Sequence, residues 1–318
     1  MNYKILNTIG DIYSTKAKKV LEQIGKVDYL NLTQDKLNKI IKNYDIIIIG
    51  LGLNFHKETL EKSNSLKVIA TITTGLDHID IKYAESIGIK VLSLRGENKF
   101  LNTITSTSEL ALGLMIDILR MTHSAIDSVK NYKWDRESFR GYNIYGLTLG
   151  IVGLGRLGSW MSNYGNVLGM KVLAYDPYID NDKFNKFNCQ SVNFNTLLKK
   201  SDVISIHVKL KKDTKNMFNK NIFDKMKNDA YLINTARGKI VNENDLLKAL
   251  KNKKIAGYAT DVLSDELNFN KKFNKHPLVE YSKKHDNLII VPHIGGMTYK
   301  TRELTDIFMA KKVVKIFK

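Results

Sequence analysis

Up to residue 147, short apolar runs alternate with amphipathic ones. Tyr3 to Ile9, Tyr29 to Leu32, Asp45 to Ile49, Leu66 to Ile72 and Lys90 to Leu94 read as strands, with Thr15 to Ile24 and Thr33 to Asn43 as helices between them. The same rhythm resumes from Thr148, with strands expected at Thr148 to Val152, Lys171 to Tyr175, Asp202 to His207, Ala230 to Asn234, Ile255 to Thr260 and Asn287 to Val291. Strands separated by helices make parallel βαβ units, so an α/β protein with two doubly wound parallel sheets and a cleft between them is expected. Ser106 to Val129 reads as one long bridging helix, Gly141 to Gly146 as a loop feeding the next strand, and Thr301 to Phe317 as an exit helix. Gly50-Leu51-Gly52 lacks a third glycine and reads as an ordinary turn.

One strand end carries chemistry. Thr148-Leu-Gly-Ile-Val-Gly-Leu-Gly-Arg-Leu-Gly158 runs an apolar strand into Gly153, Gly155 and Gly158, with Arg156 and Leu157 opening a helix. Gly153 suits a tight turn, Gly155 a close backbone approach to a pyrophosphate, and Gly158 close packing of helix on strand. The helix start then offers N–H groups and a positive dipole end to phosphate. Asp176, 18 residues beyond Gly158 and at the end of the next strand, stands where a carboxylate holds the adenosine ribose hydroxyls. That carboxylate favours NAD over NADP, because it repels a 2′-phosphate; Tyr178, Asp180 and Lys183 follow it closely enough to reshape the pocket.

Composition narrows the setting. A length of 318 residues fits two domains, and 43% hydrophobic content fits ordinary cores. Cys189 is the single cysteine, which rules out an intrachain disulfide and a cysteine metal cluster, and no metal is expected. Met1-Asn-Tyr-Lys-Ile-Leu enters a strand pattern at once, with no signal-peptide layout, and no apolar run reaches the ~20 residues of a membrane span. A cytoplasmic location is expected. The formal charge of +18 comes from lysines spread along the chain, so it reads as a solvated surface with a general pull on anions and not as a nucleic-acid footprint. The sequence runs out soon after the exit helix, from which no added C-terminal regulatory module is expected.

Three further strand ends hold reactive groups. Arg237 in Asn234-Thr-Ala-Arg-Gly238 can form a two-pronged contact with a carboxylate or carbonyl oxygen. Ala259-Thr-Asp261-Val-Leu-Ser-Asp-Glu266 supplies carboxylates, and Val291-Pro-His293-Ile-Gly-Gly296 places a histidine with glycine clearance beside it. Histidine exchanges protons near neutral pH, and a carboxylate such as Glu266 can orient its ring.

Taken in order, GLGRLG, YDP, NTARG, ATDV with its trailing Glu and PHIGG resemble the D-isomer-specific 2-hydroxyacid dehydrogenase family, from about Leu66 to Thr298. The resemblance implies a substrate-binding domain of residues 1–102 plus 297–318 and an NAD-binding domain of 103–296. It implies that Arg237 holds the substrate's carboxylate and keto oxygen, that His293 is the acid/base, and that Glu266 supports it. Asp261 and Thr107 would meet the nicotinamide end, and His207, Thr235 and Ala236 would line the cofactor. Thr74, Gly75 and Leu76, in a loop held by Asp77 and Asp80, would meet the substrate carboxylate. His78 and Trp134 read as structural or cofactor-lining. The implied partners are a 2-keto or 2-hydroxy acid and a second copy of the chain, joined as a homodimer through residues 106–130. Two alternatives stay open: a phosphorylated substrate such as phosphoglycerate, met by Arg95 and Lys99, or an NADH-sensing protein of the same fold. Two residues depart from the family pattern, where proline is usual: Lys209 after His207-Val208, and Leu267 after Glu266, at the head of an Asn- and Lys-rich stretch to Lys275.

Overall fold

The computed structural model describes residues 2–266 and 275–317, so the expectation for Leu267 and most of the stretch after it lies outside the described residues. The chain divides into two compact units, Met1–Ile104 with Met297–Lys318, and Thr105–Gly296.

The first unit holds five parallel strands, β1 (Tyr3–Asn7), β2 (Gly25–Tyr29), β3 (Ile46–Ile49), β4 (Val68–Thr71) and β5 (Lys90–Leu92), in the order β2-β1-β3-β4-β5. Helices cover both faces, so the central strands are continuously buried, as the four isoleucines of β3 show. The second strand departs from the expected Tyr29 to Leu32. It ends at Tyr29, because pairing with β1 sets Gly25 opposite Tyr3, so closely that a Cβ on Gly25 would lie 2.0 Å from the Tyr3 carbonyl oxygen. Lys26 and Asp28 hide this edge strand from a hydrophobicity reading.

The helix Tyr299–Phe317 belongs to this unit and packs Met309, Ala310, Val313 and Val314 into its core. Asp306 on that helix is fully buried. One of its oxygens accepts from the Ser14 amide at 3.0 Å and the other lies 3.7 Å from the Arg302 guanidinium. Burial outweighs both partners and pushes the carboxyl pKa up to about 6. A raised folded-state value means the group's stabilising contribution is full below its unfolded value and is lost as pH rises through about 6. The charged form then costs on the order of 3 kcal/mol. Asp306→Asn keeps an acceptor for Ser14 and drops the charge. We expect it to raise Tm at pH 8 and to lose that advantage near pH 4; paired thermal melts showing an equal gain at both pH values would contradict this.

The second unit holds seven parallel strands: β6 (Thr148–Val152), β7 (Lys171–Tyr175), β8 (Gln190–Ser191), β9 (Val203–Ile206), β10 (Tyr231–Asn234), β11 (Gly257–Thr260) and β12 (Leu288–Ile290). Their order, β12-β11-β10-β9-β6-β7-β8, reverses direction between β6 and β9. Alternate residues serve two cores. Leu149, Ile151, Val203, Ile233 and Ala259 point to one face, and Val152, Ile204, Ile206, Leu232 and Tyr258 to the other. The two-residue strand β8 is too short and too exposed to leave an apolar signature.

The expected single helix from Ser106 to Val129 is two helices, Ser106–Arg120 and Thr122–Lys130, separated by Met121 in the left-handed region at φ 54°. Asp117 explains the break. Its carboxylate accepts from the His123 amide at 2.8 Å and from the Thr122 hydroxyl, which caps a new helix start, while His123 Nε2 lies 3.0 Å from the Asp286 carbonyl oxygen. The first helix buries Leu114, Met115, Ile118 and Leu119, each contributing roughly 1.5–3 kcal/mol by transfer from water. No helix among the described residues is long and apolar enough to cross a membrane.

Candidate active site

The glycine turn, Asp176, His207, Thr235, Ala236, Arg237, Asp261 and His293 follow the carboxyl ends of strands of the second unit, the edge at which open α/β sheets bind ligands. After β6, Gly153 takes φ +95° and its amide donates to the Tyr175 carbonyl at 2.9 Å, while the Leu154 amide donates to Asp176 at 3.0 Å. The other Asp176 oxygen accepts from the Tyr178 amide at 3.1 Å, so the carboxylate is held at the end of β7. A Cβ on Gly158 would lie 2.1 Å from the Gly153 carbonyl oxygen, which is the close packing expected of the third glycine. Gly155 caps the helix Arg156–Val167 with no side chain of its own, and nothing lies within 4 Å of where its Cβ would stand. Arg156 and Leu157 form the first turn of that helix, and burial lowers the Arg156 pKa below its ordinary value.

Across the reversal in strand order, a Cβ on Gly153 would meet Val208 at 2.8 Å and the His207 carbonyl carbon at 3.0 Å. His207 Nε2 lies 2.8 Å from the Ser205 hydroxyl. Burial lowers the His207 pKa to about 4, so its ring is neutral near pH 7. Its Nδ1 and the Thr235 hydroxyl are buried without hydrogen-bond partners among the described residues. Two orphaned polar atoms at the ends of β9 and β10, beside an open glycine at a helix start, fit a polar ligand such as a dinucleotide.

After β10, Asn234 is fully buried and works as a fastener. Its amide nitrogen donates to the Arg237 carbonyl at 3.1 Å and lies 3.2 Å from the Tyr258 hydroxyl, and its oxygen accepts from the Ala236 amide at 3.0 Å. Arg237 is half-buried, with one guanidinium nitrogen donating to the Ala236 carbonyl at 2.7 Å. Gly238 brings this turn against the segment leading to Glu266: a Cβ there would lie 2.1 Å from the Leu263 carbonyl carbon. Only glycine allows that approach. The Ser264 amide donates to Glu243 at 2.7 Å, so a carboxylate from the helix Glu243–Lys251 also holds the segment.

Asp261, buried at the end of β11, accepts from the Ile294 amide at 2.6 Å and the Gly295 amide at 2.8 Å. Burial raises its pKa, and those two amides oppose the rise. This clamp shapes the turn that carries His293, itself in the left-handed region at φ 54° with its amide donating to Val291. His293 Nδ1 lies 2.7 Å from Glu266 Oε1, and Glu266 Oε2 accepts from the Leu263 amide at 3.2 Å. A carboxylate only accepts, so Nδ1 carries the proton and Nε2 is left for other partners. Both side chains are about a quarter exposed. Thr107, in the first turn of its helix, stands against Gly295, with its Cγ2 3.0 Å from where a Cβ would be.

The structure thus joins Glu266 to His293 directly, and ties the Arg237 turn to the Glu266 segment through Gly238. Sequence reasoning gave no role to Asn234, Gly238, Glu243 or Ser205; a polar asparagine closing an apolar strand was the available signal for the first. Trp134 is 89% exposed, so it packs into no core of this unit, contrary to a structural reading of it. Lys209 is exposed, and its own backbone carbonyl accepts from the Thr214 hydroxyl at 2.6 Å.

The remaining groups lie in the first unit. Thr74, Gly75 and Leu76 follow β4, where the Thr73 hydroxyl donates to the Gly75 carbonyl at 2.7 Å. Asp80 caps the next helix by accepting from the Tyr83 amide at 3.1 Å. His78 is buried, with Nε2 3.5 Å from the Thr71 hydroxyl. Arg95 and Lys99 follow β5.

Known proteins supply an independent comparison. A sequence model described as D-isomer specific 2-hydroxyacid dehydrogenase, NAD binding domain, matches residues 112–295. The chain is 32% identical over 317 residues to a D-3-phosphoglycerate dehydrogenase of Methanocaldococcus jannaschii, covering 99% of this chain and 57% of that protein. A hydroxypyruvate reductase of Thermotoga maritima is 32% identical over 288 residues, covering 90% of this chain and 89% of its own. The chain spans about half the length of several phosphoglycerate dehydrogenases that it matches. Among solved structures, a D-lactate dehydrogenase from Aquifex aeolicus, complexed with NAD and lactic acid, superposes with a TM-score of 0.85 at 29% identity, covering 99% of this chain and 95% of that one. With both the matched sequence model and relatives aligned along nearly the whole chain, this protein belongs to the D-isomer specific 2-hydroxyacid dehydrogenase family.

Proposed function

We propose that this protein interconverts a 2-keto acid and a D-2-hydroxy acid with NAD. The observation that carries the reading is the His293–Glu266 pair at 2.7 Å, on the same sheet edge as Arg237 and the Gly155 turn. A bound nicotinamide dinucleotide supplies or takes the hydride. His293, protonated on both nitrogens, gives the Nε2 proton to the carbonyl oxygen during reduction and takes it back during oxidation, while Glu266 holds the ring through Nδ1. Arg237 orients the acid and stabilises the negative charge that develops on that oxygen. Gly153, Gly155, Arg156, Leu157 and Gly158 would receive the pyrophosphate and Asp176 the ribose hydroxyls, which favours NAD over NADP. His207, Thr235, Ala236, Asp261 and Thr107 would line the remainder of the cofactor.

The half-exposed apolar residues Ile126 and Val129, beside fully exposed Tyr132, support a homodimer through the region 106–130.

The deciding measurement is NADH oxidation with a panel of 2-keto acids that includes phosphorylated ones. Turnover of any supports the reading and ranks the side chains; NADH binding without turnover of any would replace it with a sensing role. A second check uses the open space at Gly155. Gly155→Ala adds a methyl that no protein atom opposes. Tm is expected to hold while NADH binds about tenfold or more weakly, a loss of about 1.4 kcal/mol. Undiminished NADH affinity would remove the pyrophosphate from this turn.

A further inference from the structure

A cavity of about 470 Å³ opens at the amino-terminal edge of the seven-stranded sheet, at Tyr231, where β10 starts, and Asn287, just before β12. Its volume falls within the range of small-ligand sites. Ile118, Leu250 and the rings of Tyr231 and Tyr281 line it with apolar surface, and Tyr281 stacks on His285 at 4.0 Å with 21° between the planes. Lys251, Lys253 and Lys284 stand around it.

These lysines differ from their neighbours. Lys254 pairs with Asp224 at 3.8 Å and Lys283 with Glu280 at 2.6 Å, whereas the three cavity lysines have no carboxylate within ion-pair distance among the described residues, although Lys284 stands near enough to Glu280 to help lower its pKa. The acidic group in the lining, Asp286, accepts from the Ser124 hydroxyl at 2.7 Å and, on its backbone carbonyl, lies 3.0 Å from His123 Nε2; its carboxylate keeps its charge, which the three lysines outnumber. Lys253 occupies the left-handed region at φ 52°, just past the end of the helix Glu243–Lys251, a position that favours glycine. Asn287, also in the lining, has its amide nitrogen on the Ala256 carbonyl at 3.1 Å, and its oxygen is buried with no donor among the described residues.

We propose that this cavity binds a small organic anion with a flat aromatic body, its phosphate or carboxylate held by Lys251, Lys253 and Lys284 and its ring against the Tyr281 wall. Charge-assisted hydrogen bonds to the three ammonium groups supply the attraction, and the aromatic lining selects a ring over a bare inorganic ion. The site lies at the opposite edge of the sheet from the Gly155 turn and His293, so its occupant does not compete with the dinucleotide.

Phenyl phosphate, titrated calorimetrically into the protein saturated with NADH, tests this, with inorganic phosphate as the comparison. The expected result is binding that survives NADH, exceeds that of inorganic phosphate, and weakens about tenfold in Lys253→Gly and in Lys284→Gln. Lys253→Gly relieves the left-handed backbone while removing the charge, so an unchanged or raised Tm separates lost binding from lost folding. Absence of binding at millimolar concentration, displacement by NADH, equal affinity for inorganic phosphate, or full affinity in both variants would each overturn the proposal.

Discussion

Replacing His293 with alanine is expected to lower turnover by about 10²–10⁴-fold, the usual contribution of a positioned general acid, while leaving NADH affinity essentially unchanged. The split follows from the local geometry. His293 is fastened through Nδ1 to Glu266, and its backbone turn is fixed independently by the Asp261 carboxylate on the Ile294 and Gly295 amides. Removing the imidazole would therefore take away the proposed proton donor without unmaking the turn. The glycine turn after β6 keeps its own supports, the Tyr175 carbonyl and the Asp176 carboxylate, so the proposed dinucleotide end of the site would be undisturbed. Steady-state rates with the best 2-keto acid of the panel, beside a fluorescence titration of NADH, measure the two quantities. Equal losses in both would mean that His293 is a structural residue, and the assignment of the acid would fail.

Arg237→Gln is expected to lower kcat/KM by about 10²–10³-fold, roughly 2.7–4 kcal/mol of transition-state stabilisation, with kcat and KM both worsened. A group that only anchors the substrate would raise KM and leave kcat alone. Arg237 is expected to do more, because the charge that develops on the reduced oxygen falls to a guanidinium whose turn is already rigid. Asn234 holds the Arg237 carbonyl, and Gly238 locks the turn against Leu263 and Ser264. Arg237→Lys keeps the charge and loses the fork, so it is expected to fall between wild type and the glutamine variant. A KM effect alone would reduce Arg237 to a substrate anchor and leave another group to stabilise the oxygen.

Much of this site was legible from residue order, for a physical reason. A parallel α/β sheet delivers every strand end to one edge, so Gly153, Asp176, Arg237, Asp261 and His293, each just past an apolar run, had to share that edge once the strands were recognised. The supports between strand ends were not legible. Asn234 and Gly238 act on Tyr258 and Leu263, which are near them only after β10 and β11 pair, and Glu243 reaches Ser264 from a helix that hydrophobic periodicity places without orienting. The break at Met121 escaped for the same reason: the apolar stripe continues through it, and Asp117 together with the distant Asp286 carbonyl decides the turn.

Local sequence by itself determined the doubly wound class, the glycine turn with its matching aspartate, and the set of groups at the strand ends, because periodicity and turn chemistry act over a few neighbouring residues. Tertiary structure alone decided that Glu266 meets His293, that Asp306 is a buried and reluctant carboxylate, and that three lysines with no ion pair among the described residues ring a cavity at the far edge of the sheet. Those outcomes depend on burial and on contacts between residues far apart in the chain, and these come into being only when the sheets close and the helices pack.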